Sequence, residues 1–204
     1  MYKKMQLSYS LDGLEPYISK ETMEVHYNTL YTRYLNNLNE VLKKNNFNFS
    51  IPKEDIYNII KRFPIEDRET ILFNLGGVLN HELYFDTMTE VVKENKDFEN
   101  ILVNKYISID NFISKFSDKA KELKGSGYTF LVIDNDKELA IVNLSNQDSP
   151  YRYGVIPIMN LDLWEHAYFL DYKADKAEYI KNFFKLVDFD KVNKRYEEFS
   201  KDIC

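Results

Sequence analysis

Apolar positions recur at three- and four-residue steps through Met23, His26, Tyr27, Leu30, Tyr31, Tyr34, Leu35, Leu38, Val41 and Leu42, which predicts one long helix from Lys20 to about Lys44. The run Asn45-Asn46-Phe47-Asn48 breaks that period, and Pro52 opens a short helix reaching about Arg62. A second long helical stretch, Asp67 to about Val92, carries Ile71, Leu72, Leu75, Val78, Leu79, Leu83 and Phe85. These read as two long antiparallel helices with a small helical insert between them.

The pattern changes after Asn95-Lys96-Asp97, where a boundary is expected between residues 1–94 and residues 95–204. Asp110 can cap a helix that ends near Gly125-Ser126-Gly127. Tyr128–Ile133 and Leu139–Leu144 are β-rich runs joined by Asp134-Asn135-Asp136-Lys137, which predicts a hairpin. A third strand, Val155 to Leu161, delivers the chain to Asp162, and helical patterns follow over 168–172, 176–187 and about 192–201. Helices first and a mixed half second make an α+β fold: a long antiparallel helical hairpin, then an α/β domain with a three-stranded antiparallel sheet.

Composition narrows the class. A chain of 204 residues with 44% hydrophobic and 15% aromatic residues can bury a sizeable core and is not disordered. A net charge of −6 argues against a nucleic-acid or membrane-surface binder, which would show a basic face. No stretch has the length and apolarity of a signal or transmembrane helix, so the expected compartment is the cytosol. The single cysteine, Cys204, excludes an intramolecular disulfide framework and a thiolate cluster; it reads as an incidental thiol.

The candidate chemistry lies in the three histidines. His166 is four residues from Asp162 in Asp162-Leu163-Trp164-Glu165-His166, at the point where a strand runs into a helix. His26 and His81 sit mid-helix on the two long helices, which a hairpin would set side by side. Three imidazoles and one carboxylate suit a divalent or trivalent first-row metal with a position left for solvent, and the carboxylate favours the harder ions Mn and Fe. A histidine taken singly is more often a satisfied core or surface residue; four ligand-type residues at these positions weaken that bland reading.

At these residues the chain resembles the iron/manganese superoxide dismutases. Asp162-Leu-Trp-Glu-His166-Ala-Tyr168 is similar to the family's D-x-W-E-H-A-Y signature, and Asn80-His81 after Phe73-Asn74-Leu75-Gly76-Gly77 to its second-helix motif. His26-Tyr27 with Tyr34 is similar to its first-helix motif. Leu14 to Thr22, Gly125-Ser126-Gly127 and Ser145 to Pro150 also match, in the same order, nearly end to end. The resemblance implies one Mn or Fe ion held by His26, His81, Asp162 and His166, and conversion of superoxide to O2 and hydrogen peroxide by an ion alternating between +3 and +2.

It also implies roles around the ion. Tyr34 matches the tyrosine at the channel mouth that helps deliver protons, and its face was expected to carry His26 and Leu30 at four-residue steps. Gly77 with Gln147 is the manganese-type arrangement, in which a glutamine from the α/β domain rather than from the helix approaches the site, so Mn is favoured. Glu165 resembles the residue that crosses a twofold homodimer to hold the partner's ligand histidine, leaving open whether dimers pair into tetramers. Departures accompany these matches. Leu30, Tyr31 and Phe169 replace a gateway histidine, a second histidine and the tyrosine that bonds the gateway residue across the dimer. Phe85, Tyr128 and Phe130 stand where tryptophans are common, leaving Trp164 alone of that cage; Thr29 takes a usual lysine position, and Lys176 a usual arginine position from which it would steer superoxide. The rival reading is a metal-binding relative whose dismutase rate has decayed, serving a structural or storage role. A second rival, a metal-dependent hydrolase, lacks an evident general base beside the four residues.

Overall fold

The structure, a computed structural model, describes residues 1–92 and 95–201. Glu94 and Cys204 lie outside the described residues. The first long helix is continuous but not uniform: α1 (Lys20–Met23) passes into a π-helical segment (Glu24–Tyr31) and then α2 (Thr32–Lys44). The Ser19 side chain caps its start by accepting from Thr22 N. After a short helix α3 (Ile56–Ile59) and a 3-10 turn (Ile60–Arg62) comes α4 (Ile65–Asp86), 22 residues long.

Four contacts fix the antiparallel register of the hairpin. Lys44 Nζ donates to Asp67 Oδ1 at 2.7 Å, the Tyr34 ring packs on Gly77, Tyr31 donates to Glu82 at 2.8 Å, and the rings of His26 and Phe85 lie 4.9 Å apart. Numbers rise along one helix as they fall along the other.

The second half contains α5 (Lys96–Tyr106), α6 (Ile109–Glu122), β1 (Gly127–Ile133), β2 (Leu139–Ser145), β3 (Ile156–Asp162), α7 (Phe169–Tyr172), α8 (Lys176–Phe183) and α9 (Phe189–Lys201). The sheet order is β2-β1-β3, antiparallel throughout, with an irregularity between Leu131 and Val132. The central strand β1 is buried at every position, while β2 is largely half-buried. Asn80 on α4 ties the halves together: its carbonyl accepts from Asn160 Nδ2 on β3 and its Nδ2 donates to Asp148 O, both at 2.9 Å. Those two bonds bring the middle of α4 against the end of β3.

Several boundaries differ from the sequence expectation. α4 ends at Asp86 rather than near Val92, and α8 ends at Phe183 rather than Val187. One tertiary pairing explains both: Met88 bridges Val187, Thr89 N donates to Leu186 O, and Asp188 N donates to Thr87 O, each bond 2.8 Å. Backbone groups used there cannot extend a helix. Helix α5 was not anticipated; Asn95 caps it by accepting from Phe98 N, and it buries Phe98, Leu102 and Tyr106. Ser108 rather than Asp110 caps α6, and α9 begins at Phe189 because Asp188 Oδ1 accepts from Asp190 N and Lys191 N.

Candidate metal centre

Four elements deliver the four expected side chains to one point. His26 comes from the π-helical segment, His81 from the middle of α4, Asp162 from the last position of β3, and His166 from a 3-10 turn over residues 165–167. One nitrogen from each imidazole and one carboxylate oxygen all lie within 4.8 Å of one another. The Nε2 atoms of His26, His166 and His81 stand 3.2, 3.4 and 3.8 Å from Asp162 Oδ2. Among the described residues none of these four atoms has a hydrogen-bond partner, although each is buried. Buried polar atoms left unpaired cost about 1–3 kcal/mol each, and more when charged, so four converging in one place need a common partner. A cation of first-row size fits that requirement, and the donor set of three nitrogens and one oxygen matches it chemically.

The surroundings prepare these atoms for a cation. His81 Nδ1 lies 2.6 Å from Gly77 O, a carbonyl that can only accept; the ring proton therefore sits on Nδ1 and the Nε2 lone pair faces the cluster. Burial lowers the pKa of His26 to about 4 and that of His81 to about 3, with the neighbouring histidines adding to the effect. Both are neutral at physiological pH, as ligands must be. Burial alone would raise the Asp162 carboxyl, but the facing His166 and His26 outweigh it and hold it well below the usual carboxylate range. Its other oxygen accepts from Trp164 N at 2.9 Å, which aims Oδ2 inward. The Asp162 carbonyl accepts from Tyr179 Oη at 2.9 Å, and that hydroxyl lies 3.0 Å from Tyr84 Oη. Because the Tyr179 proton is used on Asp162, Tyr84 is the donor of the tyrosine pair.

Aromatic rings close the site. Phe85 packs on His26 at 4.9 Å between ring centroids, and Trp164 stacks on His166 at 5.7 Å. On one side Tyr34, Gln147 and Tyr128 form a chain: Tyr128 Oη donates to Gln147 Oε1 at 3.0 Å, and Gln147 Nε2 donates to Tyr34 Oη at 3.1 Å. Tyr128 and Gln147 are buried; the Tyr34 phenol is raised by burial, with the Gln147 amide opposing. The double glycine on α4 makes this packing possible. A Cβ on Gly77 would stand 2.6 Å from Tyr34 Cδ1, and one on Gly76 would overlap the Gln147 carbonyl oxygen. A glutamine side chain reaching the site from position 77 has no room while Tyr34 is in place.

The remaining expected residues divide between exposed and buried positions. Leu30 is half-buried and Thr29 exposed, whereas Tyr31 is fully buried. The expected His26–Leu30–Tyr34 face is thus modified: in a π-helical turn the residue five positions on, not four, lies beneath a given one, so Tyr31 takes the inward place and Leu30 turns toward the rim. Glu165 is exposed, Phe169 is 48% and Leu170 39% exposed, and all three lie within four positions of His166 in sequence. Phe130 is buried beside Tyr128, 5.8 Å between centroids. Lys176 opens α8, capped by Asp175, with its amine lowered by burial; no hydrogen bond joins it to the four-residue cluster.

Sequence reasoning missed one network. The buried Tyr31 accepts from Met5 N at 3.0 Å and donates to Glu82, which also pairs with Lys53 Nζ. It pins the ring that stacks on His81, 6.3 Å between centroids. Glu82 beside His81 was a visible signal; nothing in the pattern pointed to Lys53.

Two family descriptions match the chain: the alpha-hairpin domain of iron/manganese superoxide dismutases over residues 1–89, and the C-terminal domain of the same family over residues 94–195. Among curated relatives, a manganese superoxide dismutase of Haemophilus ducreyi is 34% identical over 203 residues, covering 97% of this chain and 95% of that one. A manganese superoxide dismutase of Escherichia coli K12 is 33% identical over 201 residues, covering 96% and 97%.

Proposed function

We propose manganese as the working ion, from the premise that this chain belongs to the iron/manganese superoxide dismutase family. The reaction is the dismutation of superoxide: two superoxide ions and two protons give O2 and hydrogen peroxide. A bound Mn or Fe ion supplies the one-electron exchange, first accepting and then returning an electron. His26, His81, Asp162 and His166 hold it, and the observation that carries this is the set of four buried, unpartnered ligand atoms within 4.8 Å. The choice of manganese is supported by Gly77, where the Tyr34 ring fills the space a Cβ would take, and by the two relatives being manganese superoxide dismutases.

The chain's other residues bind, orient and protonate. Tyr34 and Gln147 present polar hydrogens beside the ligand cluster, where an anion arrives and protons are needed. Gly77 makes room for Tyr34, Trp164 packs on His166, and Tyr128 holds Gln147. Lys176 supplies local positive charge on an acidic protein, and its role is to steer superoxide inward. The chain works as a homodimer in which Glu165 reaches the partner's ligand histidine; exposed Phe169 and Leu170 beside it support an interface there. Pairing of dimers into tetramers is the larger assembly to look for. Residues 1–94 and 95–204 are its two domains, in keeping with the separate matches over 1–89 and 94–195. Among the described residues no helix is long and apolar enough to cross a membrane, and the proposed compartment is the cytosol.

The second reading, a catalytically weakened metal-binding relative, draws on Thr29, Leu30 and Phe169 at the rim. One experiment tests both. Apo-protein is reloaded separately with Mn and with Fe, and superoxide consumption is followed in each. The expected result is fast turnover with Mn; turnover with Fe alone contradicts the choice of metal, and ion retention without turnover in either form establishes the weakened relative.

A further inference from the structure

We propose that the extended segment of residues 1–7 is a positioning strap: the main chain of Met5 fastens Tyr27 and Tyr31, holds the π-helical winding that carries His26, and so sets how fast the bound ion leaves. This rests on the reading of the four-residue cluster as the site of a manganese ion.

Residues 1–7 form neither helix nor strand, and among the described residues they make no backbone–backbone hydrogen bond. Side chains hold them instead. Buried Asn39 on α2 reads both main-chain groups of Tyr2, accepting from its N at 2.9 Å and donating to its O at 3.0 Å. Two phenols read Met5 in the same way: its N donates to Tyr31 Oη at 3.0 Å, and its O accepts from Tyr27 Oη at 2.5 Å. Between these anchors, Lys4 Nζ lies 3.6 Å from the centre of the Tyr27 ring and donates to Asn28 Oδ1 at 3.1 Å.

The two phenols back the ligands. Tyr27 and Tyr31 stack on each other, 5.8 Å between centroids, and both pack on Phe85, which packs on His26. His26, Tyr27 and Tyr31 all belong to the π-helical segment Glu24–Tyr31. In an α-helix, at about 100° per residue, positions five apart point about 140° away from one another. Winding of the π type brings the fifth residue beneath the first, so that His26 faces the cluster while Tyr31 stays inward. Such winding is rare and mostly limited to single turns, so eight residues of it call for support from outside the helix, and Met5 supplies two bonds. When the strap lets go, Tyr31 turns outward, the segment rewinds toward α, and His26 loses its place. Other routes to the ion are harder to open. Parting α4 from β3 breaks both Asn80 bonds and uncovers a central strand buried at every position, whereas the inward residues of the strap, Tyr2, Met5 and Leu7, are only half-buried.

The test follows release of manganese from the Mn-loaded protein into excess EDTA, well below the melting temperature, together with hydrogen exchange at the Met5 amide by NMR. Tyr27→Phe keeps the ring and removes one bond to Met5; release should be about fivefold faster, the size of one net hydrogen bond. Asn39→Leu removes both bonds to Tyr2 and leaves Met5 and the ligands untouched; release should be about threefold faster. Asn45→Ala is the control, since it also removes two hydrogen bonds, to Val41 O and Asp67, but none from the strap. Its release rate should match wild type. Exchange at Met5 should be at least as fast as release in every form, and should quicken in the first two variants by the same factor. Unchanged release in either Tyr27→Phe or Asn39→Leu, or equal quickening in Asn45→Ala, overturns the inference while leaving the metal site standing. So does a Met5 amide that exchanges more slowly than manganese leaves. Should Tyr27→Phe not fold, Asn39→Leu and the exchange measurement decide. Wild-type protein that takes up no manganese overturns the site reading itself, and this inference with it.

Discussion

The interior of the site and its rim have followed opposite courses. Inside, most polar atoms are matched to a partner or to the shared position in the four-residue cluster: His81 to Gly77, Asp162 to Trp164, Gln147 to both Tyr128 and Tyr34, with His26 Nδ1 the exception, buried without a partner among the described residues. At the rim, Leu30 and Phe169 stand where the family resemblance expects a hydrogen-bonded pair, and Thr29 stands where it expects a lysine. The difference follows from burial. Within a dry cavity a lone polar group is expensive, so such residues change together or not at all; beside solvent, polar groups come and go at little cost. Leu30 and Phe169 follow the solvent-side rule in the single chain, and fall under the buried-pair rule only where the proposed dimer would cover them, since there one polar partner without the other would be the worse arrangement.

That comparison is broken most severely by removing a ligand. Asp162→Ala takes away the one carboxylate of the proposed ligand set, and metal content and superoxide consumption should fall by more than about a hundredfold, since even the outer partners of metal ligands cost 10–100-fold. Retention of the ion in that variant would mean it binds elsewhere. Next comes Gly76→Ala, whose methyl overlaps the Gln147 carbonyl. A destabilisation of about 1–3 kcal/mol is expected, a melting temperature lower by about 2–4 °C for each, read by calorimetry.

Acid sharpens the comparison, because the interior titrates as a unit. In the apo-protein His26 and His81 have pKa values of about 4 and 3, below the ordinary 6.5 that they regain on unfolding. The unfolded chain binds more protons in that range, so the stability they contribute is present above pH 6.5 and is lost as pH falls toward 4 and 3. Asp162, also lowered, acts in the same direction below the ordinary carboxylate range. Melting curves of apo-protein from pH 7 to 4 should drop steadily, and a flat profile contradicts buried neutral histidines.

Smaller effects belong to the rim. Leu30→His and Phe169→Tyr should each weaken dimerisation by about 1 kcal/mol when made alone and nearly cancel when made together, as sedimentation would register. Additive losses would show that the two positions do not meet. Lys176→Gln should lower the superoxide rate modestly at low salt and flatten its dependence on ionic strength; an unchanged slope removes Lys176 from steering.

Much of this was legible in the residue pattern, for identifiable reasons. The hairpin helices and the sheet announce themselves through period and turn residues, and the cluster of His26, His81, Asp162 and His166 through its motif. Helix α5 did not, because the polar run around Asn95-Lys96-Asp97 read as a boundary and hid the buried series Phe98, Leu102, Tyr106. The overruns of α4 and α8 were invisible because the pairing of Met88 with Val187 joins segments about a hundred positions apart. No local signature marks the π-helical turn that carries His26, and with it the inward place of Tyr31 instead of Leu30 was missed. Gly77 was recognised as needing a steric reason; that the Tyr34 ring supplies it required three dimensions.

The central claim, one ion held by His26, His81, Asp162 and His166, is tested most directly by anomalous diffraction from crystals of the Mn-loaded protein, collected on either side of the manganese edge. The account predicts one manganese peak per chain, centred between three imidazole nitrogens and a carboxylate oxygen of these residues. A peak elsewhere on the molecule, or coordination that omits any of the four, would contradict it.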